Sequence, residues 1–216
     1  MSLIHEDLTH SIRGLLFATH NAVGVGLHEE NYHRELVQLL RASGLEFRTK
    51  PKVALTYRGI LIQDYFPDIV VADRVILELK SSRYGINDDN HLQLLTYLKL
   101  TGLNVGMIVN FGTHRVQIKR LVYHPKPSKL NLVGDWSHSA KDRLFDTLDV
   151  VAGVLDIAGQ GFSESIYNRL LAREAQYRGL QVELQPLRSV RVNDVILGNE
   201  RFDGLTIDRS TYDQCC

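Results

Sequence analysis

Cysteine is almost absent from this chain of 216 residues: Cys215 and Cys216, side by side, are the only two. Neighbours in sequence rarely form a structural disulfide, so nothing points to an oxidising compartment and a cytoplasmic location is the expectation. No apolar run approaches the roughly 18 residues needed to span a bilayer, so no membrane partner is expected. The opening residues, MSLIHEDLTHSIRG, lack the basic start and apolar core of a secretory leader. A charge excess is also missing, since 25 Lys and Arg balance 25 Asp and Glu. Residues 1–123 come to +2 (14 basic against 12 acidic) and residues 124–216 to −2 (11 against 13). That is not the footprint of a strong nonspecific nucleic-acid binder, so a nucleic-acid partner would have to be met by a local groove. The nine histidines form no H-x-H or H-x-x-x-H pair with carboxylates nearby, which argues against zinc. What remains, 44% apolar and 23% charged residues, is the composition of a globular protein.

The chain repeats itself. Residues 24–32, GVGLHEENY, and residues 159–167, GQGFSESIY, both fit G-x-G-[LF]-x-E-x-x-Y. The offset of 135 persists without a gap: Gly44 and Leu45 match Gly179 and Leu180, Pro51 matches Pro186, Asp68 matches Asp203 and Asp73 matches Asp208. So long a register predicts two copies of one unit. The second is shorter, because Glu78, Leu79 and Lys80 would fall on Asp213, Gln214 and Cys215, and nothing matches residues 84–123. The expected organisation is a first unit over 1–123, a proline-containing linker over 124–137 and a truncated, non-catalytic repeat over 138–216.

Periodicity predicts helices over 5–22, 28–43 and 88–101 in the first unit, with strand-like stretches in LEFRTKPKVALTY, ILIQDY, DIVVA, VILEL, VGMIVNF and VQIKRLVY. The second unit predicts helices over about 140–157 and 163–178 with strands after them. The order implies an α/β or α+β sheet with helices packed on it. Gly24 and Gly26 read as a turn between helices, since no strand precedes them and no G-K-[ST] follows.

The stretch FPDIVVADRVILELK, residues 66–80, carries three charges that a buried strand pair does not need: Asp68, Glu78 and Lys80. Side chains alternate faces along a strand, so Ile76, Glu78 and Lys80 share one face, and Val75, Leu77 and Leu79 the other. Hairpin register decides where Asp68 lies. A two-residue turn at Asp73-Arg74 pairs Ala72 with Val75 and turns Asp68 away from Glu78. A three-residue loop pairs Val71 with Val75 and sets Asp68 opposite Glu78, and this is the register expected. Two carboxylates at that spacing repel unless a proton or cation sits between them, and oxygen donors suit Mg²⁺ or Mn²⁺. Ordinary salt bridges at a strand edge are the competing reading.

Pro67-Asp68, nine intervening residues and Glu78-Leu79-Lys80 resemble the PD-(D/E)XK nuclease signature. Gln93 to Tyr97 is similar to the Q-x-x-x-Y motif of its exonuclease-like branch. With Gly24, Gly26, Glu29, Tyr32 and the NFG of residues 110–112, residues 5–123 resemble the GxxExxY family of that superfamily. The resemblance implies a restriction-endonuclease-like α/β core, a central mixed sheet flanked by helices, and phosphodiester hydrolysis dependent on Mg²⁺ or Mn²⁺. Nucleic acid, DNA before RNA, would be the partner, with a homodimer formed through the second copy as a further expectation. It also implies Asp68, Glu78, Glu29 and the Leu79 carbonyl as metal ligands, Lys80 as the catalytic lysine, and Gln93 and Tyr97 at the substrate. For Glu29 a helix-dipole role, and for Tyr97 simple core packing, remain open from the residues alone. A non-catalytic binding module that keeps the fold is the alternative to a nuclease.

Overall fold

The computed structural model describes residues 4–125, 141–192, 195–201 and 204–209. Linker residues 126–137, Asp203 and residues 213–215, at the Glu-x-Lys positions of the repeat, lie outside the described residues. Backbone contacts divide the chain into two compact units, residues 1–56 with 63–125, and residues 57–62 with 126–216.

The first unit opens with two helices, α1 (Glu6–Val23) and α2 (Glu29–Ala42). α1 stops at Gly24, whose φ of 77° is open to glycine at little cost. Strands β1 (Phe47–Thr49), β4 (Ile69–Val71), β5 (Val75–Lys80), β6 (Val105–Asn110) and β7 (Gln117–Val122) form one sheet in the order β1-β4-β5-β6-β7. Only β5 and β6 are parallel. Their crossover is helix α3 (Asp88–Thr101), started by a reciprocal capping box between Asn87 and Asn90 and followed by Gly102 at φ 71°. Strands β2 (Val53–Tyr57) and β3 (Ile60–Tyr65) pair apart from this sheet. The sequence pattern ran β1 and β2 together, but Lys50 at φ 45° and Pro51 break the strand between them.

The sheet is covered on both faces. Ile12, Leu16, Leu36 and Leu40 pack with Val75, Leu77, Leu79, Met107 and Val109 on one face, and Leu94, Tyr97 and Leu98 pack with Ile76 and Ile108 on the other. This is why VILEL and VGMIV read as continuous apolar runs. Gly106 makes the second layer fit, because a Cβ there would meet Leu94 Cδ1 at 2.6 Å. Glu78 follows the α3 face, one residue beyond the apolar ladder.

The second unit contains α4 (Lys141–Ala158), α5 (Glu164–Tyr177), β8 (Leu180–Leu184), β9 (Leu187–Val192), β10 (Val195–Arg201) and β11 (Leu205–Arg209). The bounds of α4 and α5 are those of α1 and α2 displaced by 135. One hydrogen bond recurs with them: Tyr32 Oη donates to Gly24 O at 2.9 Å, and Tyr167 Oη to Gly159 O at 2.9 Å. The offset then slips. Lys50 N donates to Asp68 O, whereas Gln185 N donates to Gly204 O, and the β9–β10 pairing that precedes Gly204 carries an irregularity between Ile196 and Gly198. By backbone position Gly204 corresponds to Asp68. Residues Tyr57 and Arg58 group with this unit, where Tyr57 Oη and Arg58 Nε donate to the buried Glu174 at 2.8 and 2.6 Å.

Candidate metal and phosphodiester site

The hairpin of β4 and β5 sets the site. Val71 pairs with Val75, Val70 with Ile76 and Ile69 with Leu77, around the loop Ala72-Asp73-Arg74. Ala72 and Asp73 both take left-handed backbone, φ 51° and 50°, and Arg74 N closes the turn on Val71 O at 3.0 Å. Such values suit the right-handed strand twist but cost a non-glycine residue some strain. Continuing the pairing by one residue sets Asp68 across from Glu78. Asp68 Oδ2 accepts a hydrogen bond from Leu79 N at 2.8 Å, which ties the carboxylate to the backbone of the Glu-x-Lys strand.

Glu78 is 2% exposed, so its charge is held almost wholly out of water. Lys80 Nζ donates to its Oε1 at 2.5 Å, while Oε2 is buried with no hydrogen-bond partner. Burial, and then the charge of Asp68, push the Glu78 carboxyl up to about 7, against the pull of Lys80. Asp68 is also raised, by burial, with the Leu79 N–H and the charges of Lys80, His33 and Lys50 opposing. Glu29, in the first turn of α2, is raised by burial and by Asp68 and lowered by Lys80, so it lies within electrostatic reach of the pair. Gln93 Nε2 donates to Tyr97 Oη at 2.8 Å on one face of α3. The Tyr97 hydroxyl is pushed up to about 12 by burial and by the charge of Glu78. Asp68, Glu78, Lys80, Glu29 and the Gln93–Tyr97 pair therefore occupy one neighbourhood. The Leu79 side chain faces the opposite core layer.

The two apposed carboxylates are oxygen donors of the kind that hard divalent cations take. A buried carboxylate oxygen without a hydrogen bond is expensive, and a cation beside it would relieve both that cost and the repulsion between the two acids. Among the described residues no three His, Cys, Asp or Glu side chains are grouped tightly enough to hold a metal. The protein's side-chain offer is therefore the pair, with Glu29 nearby.

Two residues that hold the site carried only weak sequence signals. Asn110, fully buried at the end of β6, accepts from Ser82 N at 2.8 Å and from Gly112 N at 3.2 Å through Oδ1. Its Nδ2 donates to Ser82 O at 2.8 Å and to Gln117 Oε1 at 3.2 Å. A Cβ on Gly112 would lie 2.4 Å from the carbonyl carbon of Ser81. The NFG segment is thus a clamp on the chain leaving Lys80. An amide ending an otherwise apolar strand was the available clue. Phe111 also stacks on Tyr32, with ring centroids 4.8 Å apart, which joins that clamp to the G-x-G-x-x-E-x-x-Y turn.

A mixed sheet with helices on both faces and a D…E-x-K constellation on its central hairpin describes one class of enzyme fold. The family model of the PD-(D/E)XK nuclease superfamily matches residues 6–121 and 141–210, and the chain belongs to that superfamily. No curated protein gives a significant sequence match. Among solved structures, an alkaline exonuclease from Laribacter hongkongensis aligns over 82% of this chain and 86% of its own, at 12% identity and a TM-score of 0.36. The structure titled SSO0001 aligns over 56% of this chain at 18% identity and a TM-score of 0.35, and this chain spans 61% of its length. Among the described residues no helix is long and apolar enough to cross a membrane.

Proposed function

We propose that the first unit hydrolyses phosphodiester bonds of nucleic acid, DNA in the first instance, with Mg²⁺ or Mn²⁺. The observation that carries this reading is the Asp68–Glu78 apposition, with Lys80 on one Glu78 oxygen and the other left without a partner. Asp68 and Glu78 would hold the ion, with Glu29 and the Leu79 carbonyl as further oxygen donors. When bound, such a cation polarises a phosphoryl oxygen and acidifies water.

The protein's own groups supply the rest. Lys80 carries a fixed positive charge beside the carboxylates, where it can orient a water and stabilise the charge that develops on the phosphoryl group. Gln93, set by its bond to Tyr97, offers an amide to the substrate. The Asn110 clamp holds the segment after Lys80, so the ammonium needs little reorganisation.

The order of elements, the shared helix bounds and the recurring Tyr–Gly bond favour reading residues 138–216 as a truncated second copy. Gly204 stands where Asp68 stands in the first, which supports a copy without chemistry. The G-x-x-E-x-x-Y turn, with Tyr32 holding Gly24, favours the GxxExxY branch.

The test is cleavage of plasmid and single-stranded DNA with Mg²⁺ or Mn²⁺ by wild type, Glu78→Ala and Lys80→Ala. Cleavage by the wild type that both variants lose is the expected result. Equal cleavage by all three ends the reading.

A further inference from the structure

Large apolar side chains close in sequence to the site residues are exposed to solvent. Phe66, two residues before Asp68, is 51% exposed, and Tyr84, four residues after Lys80, is 83% exposed. Phe66 lies on the segment that enters β4 and Tyr84 on the segment that leaves β5, so both aromatics are on chain at the open end of the hairpin. Leu27, two residues before Glu29, is 47% exposed on the turn that leads into α2. Tyr84 is not a loose side chain. The Arg83 guanidinium lies 4.8 Å from its ring centroid and donates to its hydroxyl at 2.6 Å. A single exposed aromatic needs no explanation, but two on the segments that flank the Asp68–Glu78–Lys80 hairpin do.

We infer that Phe66 and Tyr84, with Arg83, are a stacking platform for unpaired bases, and that the substrate of this site is single-stranded nucleic acid. The inference rests on the hydrolase reading and names its substrate class. Aromatic faces stack on any base, but in a duplex those faces are already covered by neighbouring bases. Only a single strand or a frayed end can use the rings. Arg83 adds a cation beside the ring, suited to the phosphate that follows a stacked base. The near-zero net charge agrees, because stacking holds a strand without the broad basic surface that duplex backbone binding needs.

Binding is read by fluorescence anisotropy with a labelled single-stranded oligodeoxynucleotide and a blunt duplex of the same sequence, with Ca²⁺ replacing Mg²⁺. Both rings are exposed, so Phe66→Ala and Tyr84→Ala should keep the wild-type melting temperature. Each is expected to weaken single-strand binding about 5-fold or more and to leave duplex binding unchanged, while Tyr84→Trp retains wild-type affinity. The platform is overturned if the wild type does not bind the single strand, if the alanine variants match it, or if single strand and duplex weaken in equal proportion. Ring-dependent binding with no cleavage under any divalent cation would instead remove the hydrolase reading and leave the platform standing. Cleavage unaffected by the alanine substitutions would remove the platform alone.

Discussion

Glu78 is a residue the fold tolerates at a cost. Its Oε2 has lost water and gained no hydrogen bond, and its ionisation is opposed by burial and by Asp68. Glu78→Gln should therefore raise the melting temperature of the metal-free protein, since it removes a buried charge, and should abolish the stabilisation that Mg²⁺ or Mn²⁺ gives the wild type. Differential scanning fluorimetry across a metal titration reads both effects. Lys80→Ala is expected to leave the fold intact and to lower kcat by about 100-fold or more, measured by cleavage kinetics. The three charges of this site were legible in sequence because period-two alternation and one choice of register decide which of them can meet. The sequence marked Asn110 only as part of the NFG segment and did not display its role as a clamp, because its partner Ser82 is 28 residues away and meets it only when β5 and β6 pair.

At the scale of elements, the two copies of the helical turn offer a matched comparison. Tyr32→Phe and Tyr167→Phe each delete one hydroxyl bonded to a glycine carbonyl at the same distance. Each should cost its own unit about 1 kcal/mol, followed by urea unfolding with probes in either unit. Gly112→Ala should cost more, because the added methyl meets backbone atoms of Ser81 that cannot turn aside. Overpacking of this kind costs about 1–3 kcal/mol and would also displace the segment that follows Lys80. Helix positions were readable to within a residue or two, since apolar spacing and terminal glycines mark them. The division of residues 45–57 into two strands was only half readable, since Pro51 is a visible breaker but the left-handed backbone of Lys50 is not a preference of that residue.

At the scale of the whole molecule, an ungapped offset of 135 was visible from Gly24 to Asp73, yet β10 is one residue longer than β3 and the pairing that follows it is one residue out of step. Sequence identity alone could not show that slip, because the aspartates at 203 and 208 keep the uncorrected spacing. The second unit has its own electrostatic centre. Burial alone would raise the Glu174 carboxyl, but hydrogen bonds from Arg58, Tyr57 and Arg178 outweigh it and hold the group at about 2. A depressed carboxyl stabilises the fold above its ordinary value near 4.5 and loses that contribution as the pH falls towards 2. The gap in thermal midpoint between wild type and Glu174→Gln should therefore be full at pH 6 and narrow below pH about 4.5. A gap independent of pH would show that the carboxylate is not the group being stabilised.

Ser82 lies beyond the last residue of β5, in a segment with no strand pairing of its own. Both its amide and its carbonyl are nonetheless taken by the buried side chain of Asn110. A loop fastened in this way should trade its amide proton for deuterium as slowly as the sheet does. Ser82 would then mark a protected island in otherwise fast-exchanging chain. Asn110→Ala should release that one proton while Leu77, within the paired sheet, and Leu79, whose amide is bonded to Asp68 Oδ2, keep theirs.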